Sequence, residues 1–171
     1  EMIFVTVGTH EQPFNRVLEY MDNLKRDGKI EDEVIMQTGY STYEPKYCEW
    51  SKMIPYIKMQ EYVSKARIVV THGGPASFIM PLQMGKIPIV VPRQFEFKEH
   101  VNNHQVDFVR NIAERMKTII SVLDIKELDG IINDYDQIVD HMQRGLKSNN
   151  VVFNQELEKI VDEMFGGKRH K

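Results

Sequence analysis

The stretch VVTHGGPASF, residues 69–78, sets an imidazole, His72, and a hydroxyl, Ser77, on either side of two glycines. A β-branched run leads into Gly73 and Gly74, which remove side-chain volume where a strand ends and let backbone approach a ligand. A helix starting near Pro75 would turn its free N–H groups and positive end toward that point. Such an arrangement suits a phosphate or diphosphate, with Ser77 as an added donor. Gly-Gly before a helix also closes a tight turn, so the local sequence leaves a ligand loop and a plain turn both open. VGTHEQ repeats the theme, with Gly8 and Thr9 ahead of another helix.

Competing chemistries have weaker signals. Neither G-x-G-x-x-G nor G-x-x-x-x-G-K-[ST] occurs, which argues against an NAD site and a nucleoside-triphosphatase site. His-Gly-Gly can build an oxyanion hole, but the nucleophile elbow G-x-S-x-G is absent, so His72 and Ser77 read as a binding pair. His100 and His104 stand four apart on an expected helix beside Glu99, a spacing that can bind zinc. Val101 breaks the H-E-x-x-H pattern and no third ligand is evident, so no metal is expected. EHVNNHQ, residues 99–105, is instead polar at six of seven positions, as a ligand shelf or a solvated helix end would be.

The elements that must carry these residues alternate. MIFVTVG is a strand, PFNRVLEYMDNLKRDG a helix with Pro13 early and Gly28 as its stop, and EVIMQTG a second strand. Phe14, Val17, Leu18, Met21 and Leu24 give that helix one apolar face. A mostly irregular segment follows, with CEWSKM as a candidate short strand. Then come the Pro-initiated helix PYIKMQEYVSKA, the strand RIVVTHGG, the helix PASFIMPLQMGK with its internal Pro81, and the strand IPIVVP. After the loop RQFEFKEH, a helix is expected near 100–115, a short strand at KTIISV, and helices near 124–134 and 153–165. Strands apolar enough to be buried on both faces, alternating with helices, predict an α/β fold. It is a Rossmann-like parallel sheet flanked by helices, in one domain over residues 1–171. Ligands of such sheets bind beyond the carboxyl ends of the strands, where GTHEQ, QTG, THGGPAS and PRQFEFKEHVNNHQ would converge.

Bulk properties are consistent with this. A chain of 171 residues, 42% hydrophobic and 27% charged, suits one globular domain, and a formal charge of -3 gives no reason to expect nucleic acid. The single cysteine, Cys48, points to a reducing, cytoplasmic setting. The N-terminal apolar run has no basic leader or cleavage site, and no stretch approaches the roughly 20 apolar residues that span a bilayer. The terminal KRHK reads as a solvated tail.

FVTVGTHEQPFNRVLEYMD, QTGYS, YVSKARIVVTHGGPASF and VPRQFEFKEHVNNHQ occur in this order, over residues 2 to about 110. In that ordered set the chain resembles the C-terminal-half domain of glycosyltransferase family 28. It is most similar to the small subunits of two-component bacterial exopolysaccharide and capsule glycosyltransferases, and through them to the catalytic subunit of the eukaryotic dolichol-linked N-acetylglucosaminyltransferase. The resemblance implies one half of a GT-B enzyme that binds a UDP-sugar, with no cofactor and no metal. A separate membrane-associated subunit would bind the lipid-linked acceptor, recruit this chain to the inner face of the membrane and supply the general base. The product would be a polysaccharide precursor carrying an added hexose or N-acetylhexosamine.

By motif, the resemblance places Gly8, Thr9, His72, Gly73, Gly74 and Ser77 against the diphosphate or sugar. It places Asn103, His104 and Gln105 by the sugar and phosphates, Arg93 and Glu99 nearby, and residues 57–59 near the uracil. Arg93, His72 and His104 are its candidates for stabilising the leaving diphosphate. One departure stands out: Met80 occupies the position where many members carry the acid that holds the ribose hydroxyls, so either Glu96 or Glu99 substitutes, or ribose recognition is weaker, or the correspondence is shifted by a few residues. A non-catalytic nucleotide-binding module that regulates or assembles a complex is the alternative. In the terminal helix, Phe153, Leu157, Ile160, Val161, Met164 and Phe165 share a face that would cover the home sheet or dock on a partner.

Overall fold

The computed structural model describes residues 1–146 and, beyond them, 155, 158, 159 and 162. Six strands form one parallel sheet: β1 (Met2–Thr6), β2 (Glu33–Gln37), β3 (Glu49–Ser51), β4 (Ile68–His72), β5 (Ile89–Val91) and β6 (Ile120–Ser121), in the order β3-β2-β1-β4-β5-β6. The helices are α1 (Asn15–Arg26), α2 (Tyr56–Lys65), α3 (Pro75–Gln83), α4 (His104–Met116), α5 (Leu128–Asn133) and α6 (Tyr135–Leu146). This is the doubly wound arrangement in which strand order reverses between β1 and β4.

Alternation along the strands decides which helix covers which face. Ile3, Val5 and Val7 with Ile68, Val70, Ile89 and Val91 pack on one side with the Val17, Leu18, Met21 and Leu24 stripe of α1, with Leu128 and Ile132 of α5, and with Tyr135 of α6. On the other face, Phe4, Ile35 and Val69 meet Val63 of α2, while Val90 meets Phe78, Ile79 and Leu82 of α3 and Val109, Ile112 and Met116 of α4. Every residue of β4 is buried, as a strand covered on both faces requires.

Several boundaries differ from the sequence reading. Helix α1 begins at Asn15, with Pro13 outside it. Phe14 is non-helical (φ -129°); its ring enters the core and its N–H donates to Ser41 Oγ at 3.0 Å, while Asn15 Oδ1 accepts the N–H groups of Thr42 and Tyr43. Gly28 (φ +71°) does follow its last turn. Helix α4 starts at His104, so His100 lies in the preceding loop and shares no helix face with His104; the zinc spacing is not realised. The expected helix near 124–134 divides into a 3-10 turn at Ile125–Glu127 and α5, and α6 is an addition. The helix expected near 153–165, with Ile160 and Met164, lies outside the described residues apart from isolated positions.

Candidate functional site

The β1 and β4 loops, which flank the point where strand order reverses, both contain glycines. Gly8 has φ +72° and donates its N–H to Thr6 Oγ1 at 3.1 Å, and Thr9 is exposed beside it. Across the switch point, β4 ends at His72 and α3 begins at Pro75 with Gly74 as N-cap and no side-chain cap, so the first turn of α3 opens at the carboxyl edge.

Here the glycines have a purpose the sequence did not disclose. A Cβ on Gly8 would run into the His72 imidazole from one side, and a Cβ on Gly74 would strike the same ring. The vacated space is therefore filled by the protein's own histidine. Gly73 is tight for another reason: a Cβ there would meet Val109 Cγ2 at 2.9 Å and Pro92 Cα at 3.1 Å, so its absence lets the loop close onto α4 and the β5 loop.

The buried His72 ring is fixed by its partners. Gly74 N–H donates to Nδ1 at 3.3 Å, so Nδ1 carries the lone pair and Nε2–H donates to Ser77 Oγ at 2.9 Å. With its oxygen accepting from His72, the Ser77 hydroxyl keeps its own proton for another acceptor. Burial, with the Arg93 guanidinium and the His10 and His100 rings nearby, pushes the His72 pKa down to about 3, so the ring is neutral throughout the physiological range. It is a neutral ring that donates to Ser77.

Arg93 has been moved a layer inward. Its side chain is 1% exposed, and Nη1 donates to Gln12 O (2.6 Å) and Glu99 O (3.0 Å) while Nη2 donates to Val7 O (2.6 Å). Burial lowers its pKa to about 10, which leaves it charged at neutral pH. Its terminal donors are thus committed to carbonyls, and Arg93 ties the loop after β1 to the loop after β5. Glu99 is committed likewise: Arg16 donates Nε and Nη2 to its two oxygens at 3.0 and 3.1 Å, and the Gln94 N–H donates to Oε1 at 3.1 Å. Neither residue presents its charged group to a ligand in the way expected.

The polar shelf is partly structural. Asn103 Oδ1 accepts the Phe95 N–H at 2.9 Å and Gln105 Oε1 accepts the Arg93 N–H at 3.0 Å, which leaves both amide NH2 groups as donors. His104 is exposed at the first turn of α4, its N–H capped by Asn102 Oδ1 at 2.9 Å. His10, unremarked in the sequence, is drawn in: its ring stacks on His100 with centroids 4.6 Å apart and planes 3° apart, and its Nε2–H donates to Gln12 Oε1 at 3.0 Å. A histidine two residues past a strand-ending glycine was the available signal. The rim thus combines a helix N-terminus, a serine hydroxyl, amide donors and several imidazoles around a buried guanidinium, a donor-rich surface suited to an anion.

A glycosyltransferase family 28 C-terminal domain model matches residues 2–163. The chain belongs to that family. Among solved structures, the family 28 domain is similar to the glycosyltransferase of kitacinnamycin (TM-score 0.61, 15% identity, covering 94% of this chain and 42% of that one). It is also similar to the spinosyn forosaminyltransferase SpnP (0.59, 12%, 92% and 39%) and to the glycosyltransferase SnogD from Streptomyces nogalater (0.52, 14%, 84% and 39%). At such identities the likeness is one of fold: the six-stranded parallel sheet matches the C-terminal Rossmann-like domain of GT-B glycosyltransferases. The chain spans about two fifths of the length of these structures. No curated protein sequence is significantly similar to it.

In this family 28 domain Met80 is half-buried against the cluster of Phe4, Val63 and Val69, so the position expected to hold a ribose-binding acid serves packing instead. Of the two suggested replacements Glu99 is engaged by Arg16, whereas Glu96 is exposed in the 3-10 turn Phe95–Phe97. Ile57 and Lys58 are exposed in the first turn of α2, and Met59 packs toward the core. Two open grooves flank the rim, one between α1 and the 95–99 turn beside Arg16 and Phe97, the other lined by Tyr40, Tyr43, Trp50 and Met53. Among the described residues no helix is long and apolar enough to cross a membrane, and no group of three metal-ligating side chains assembles.

Proposed function

We propose that this chain is the donor half of a glycosyltransferase and that its ligand is a UDP-sugar. The observation that carries the reading is the placement of Gly8 and His72–Ser77 on the two sides of the β1/β4 switch point, with the N-terminus of α3 and the freed Ser77 hydroxyl facing the same edge. The diphosphate lies against the first turn of α3 and accepts from Ser77, with Thr9, His104 and the amide groups of Asn103 and Gln105 as further contacts to phosphate and sugar. These dipoles are set before the reaction and stabilise the leaving diphosphate as its charge develops.

Transfer needs an acceptor-binding half, because a GT-B cleft forms between two domains and this chain accounts for about two fifths of such a structure. In this proposal a membrane-associated subunit provides that half and the general base, brings the chain to the inner membrane face, and presents a lipid-linked sugar in capsule or exopolysaccharide synthesis. The test is calorimetric titration of the purified chain with UDP and ADP, each with and without magnesium, repeated on Ser77→Ala and Asn103→Ala. Metal-independent, UDP-selective binding weakened in both variants supports the reading. Selective ADP binding, or UDP binding with no transfer when the partner is supplied, turns it toward a regulatory or assembly module.

A further inference from the structure

His10 and His100 are not needed to explain the fold, yet they are held with care. They come from separate loops, one after β1 and one after β5, and meet face to face at the carboxyl edge, 4.6 Å between centroids and 3° from parallel. Gln12 takes the Nε2–H of His10 at 3.0 Å, which fixes that ring and leaves its Nδ1 as the position for an added proton. His100 Nδ1 is shielded from solvent and has no hydrogen-bond partner among the described residues. A buried ring nitrogen without a partner calls for an explanation.

We propose that His10 and His100 form a paired imidazole contact for the diphosphate of the bound donor and that the pair takes up a proton from solvent as the donor binds. This rests on the donor-binding reading above and adds to it a contact and a linkage. The charges around the pair explain why the proton waits for the ligand. Arg93 comes from the loop after β5 and His104 from the start of α4, with the neutral His72 ring at the end of β4; of the carboxylates adjacent in sequence, Glu99 is bound to Arg16 and to the Gln94 amide and Glu11 is exposed. Burial, then His10, Arg93 and His104, hold the His100 pKa below its usual value. Two stacked imidazoles with a guanidinium nearby resist a further positive charge, and a diphosphate beside them offsets that repulsion and favours the imidazolium. The proton adds to a ring lone pair and no covalent bond breaks.

The linkage has a sign. A group whose pKa rises on binding makes affinity increase as pH falls, by about tenfold per pH unit for each proton fully linked. The experiment is calorimetry of UDP binding at about pH 8, where the terminal phosphate of UDP is ionised, in two buffers of different ionisation heat, with uridine as a phosphate-free control. Net proton uptake with UDP and none with uridine is expected, falling toward zero in His10→Gln and His100→Gln. Imidazole 15N shifts of the intact wild-type chain, recorded with and without UDP, report the same protonation independently of any variant. UDP binding with no uptake and unchanged imidazole shifts overturns this inference and leaves the donor-binding reading standing. Failure of UDP to bind at any pH between about 6 and 8 overturns both.

Discussion

Two buried charged side chains anchor loops in this domain, and they solve one problem with opposite signs. Arg93 collects carbonyls, those of Val7, Gln12 and Glu99, and so joins the loop after β1 to the loop after β5. Asp22, 1% exposed on α1, collects donors: Tyr43 Oη at 2.6 Å and the N–H groups of Lys46 and Tyr47 at 2.9 and 2.8 Å, which fold the segment between β2 and β3 against the helix. Burial alone would raise the Asp22 pKa, but the Tyr43 hydroxyl and the two amides outweigh it and leave it lowered. Irregular backbone cannot satisfy its polar groups in a ladder, so a single ion reaching several of them substitutes for one. The difference lies in what each anchor supports: Arg93 sits under the candidate site, whereas Asp22 holds a loop beside it.

That contrast makes predictions of graded size. The largest effect is expected for Arg93→Met, which leaves three carbonyls unpaired beneath the rim. Stability should fall by about 4 kcal/mol, and UDP affinity should fall with it by about tenfold or more. Arg93→Lys should recover little of either, because an ammonium lacks the planar fork that reaches all three carbonyls; urea melts and calorimetry on the two variants check this. Asp22→Ala should cost about 3 kcal/mol by the same melts while UDP affinity stays within about twofold. An equal loss of affinity in Asp22→Ala would erase the distinction between the anchors.

Smaller effects test the pair His72 and Ser77. Ser77→Ala, which removes the hydroxyl that accepts from His72, should weaken UDP binding by about tenfold with a change in stability of about 1 kcal/mol. The smallest signals lie in pH dependence. Because the His72 pKa is lowered from 6.5 to about 3 in the folded chain, the unfolded chain binds more protons between those values. Stability is then fully present above 6.5 and declines as pH falls toward 3. His72→Gln should remove about one proton from that slope in melts taken across the window. Asp22, lowered from 3.8, stabilises above 3.8 and loses its contribution as pH falls through its folded value, so Asp22→Asn should flatten the curve only at the acid end.

Much of the frame was legible. Continuous apolar runs marked the strands, and the apolar stripe of α1 marked the helix that covers one face, because burial on two sides leaves a pattern in residue order. Helix α6 was legible but overlooked: Tyr135, Ile138, Val139 and Met142 carry a helical spacing. The start of α1 was not legible, since Pro13 is a good first helical residue and what displaces it is a hydrogen bond from Phe14 to Ser41, 27 residues away. The family resemblance pointed to the loops after β1, β4 and β5, of whose residues Gly8, His72, Gly74 and Ser77 lie together. It could not say that the carboxylate of Glu99 and the guanidinium of Arg93 are already occupied.

By itself the sequence determined the class of fold, the order of its elements and the family, since these depend on periodicity and on motifs read along the chain. Tertiary structure decided the strand order, the use of Gly8 and Gly74 as a cradle for His72, the inward turn of Arg93 and the meeting of His10 with His100. Each of these joins residues from separate loops. Which donor meets which acceptor there depends on how closely the carboxyl ends of neighbouring strands approach, a distance that no local pattern encodes.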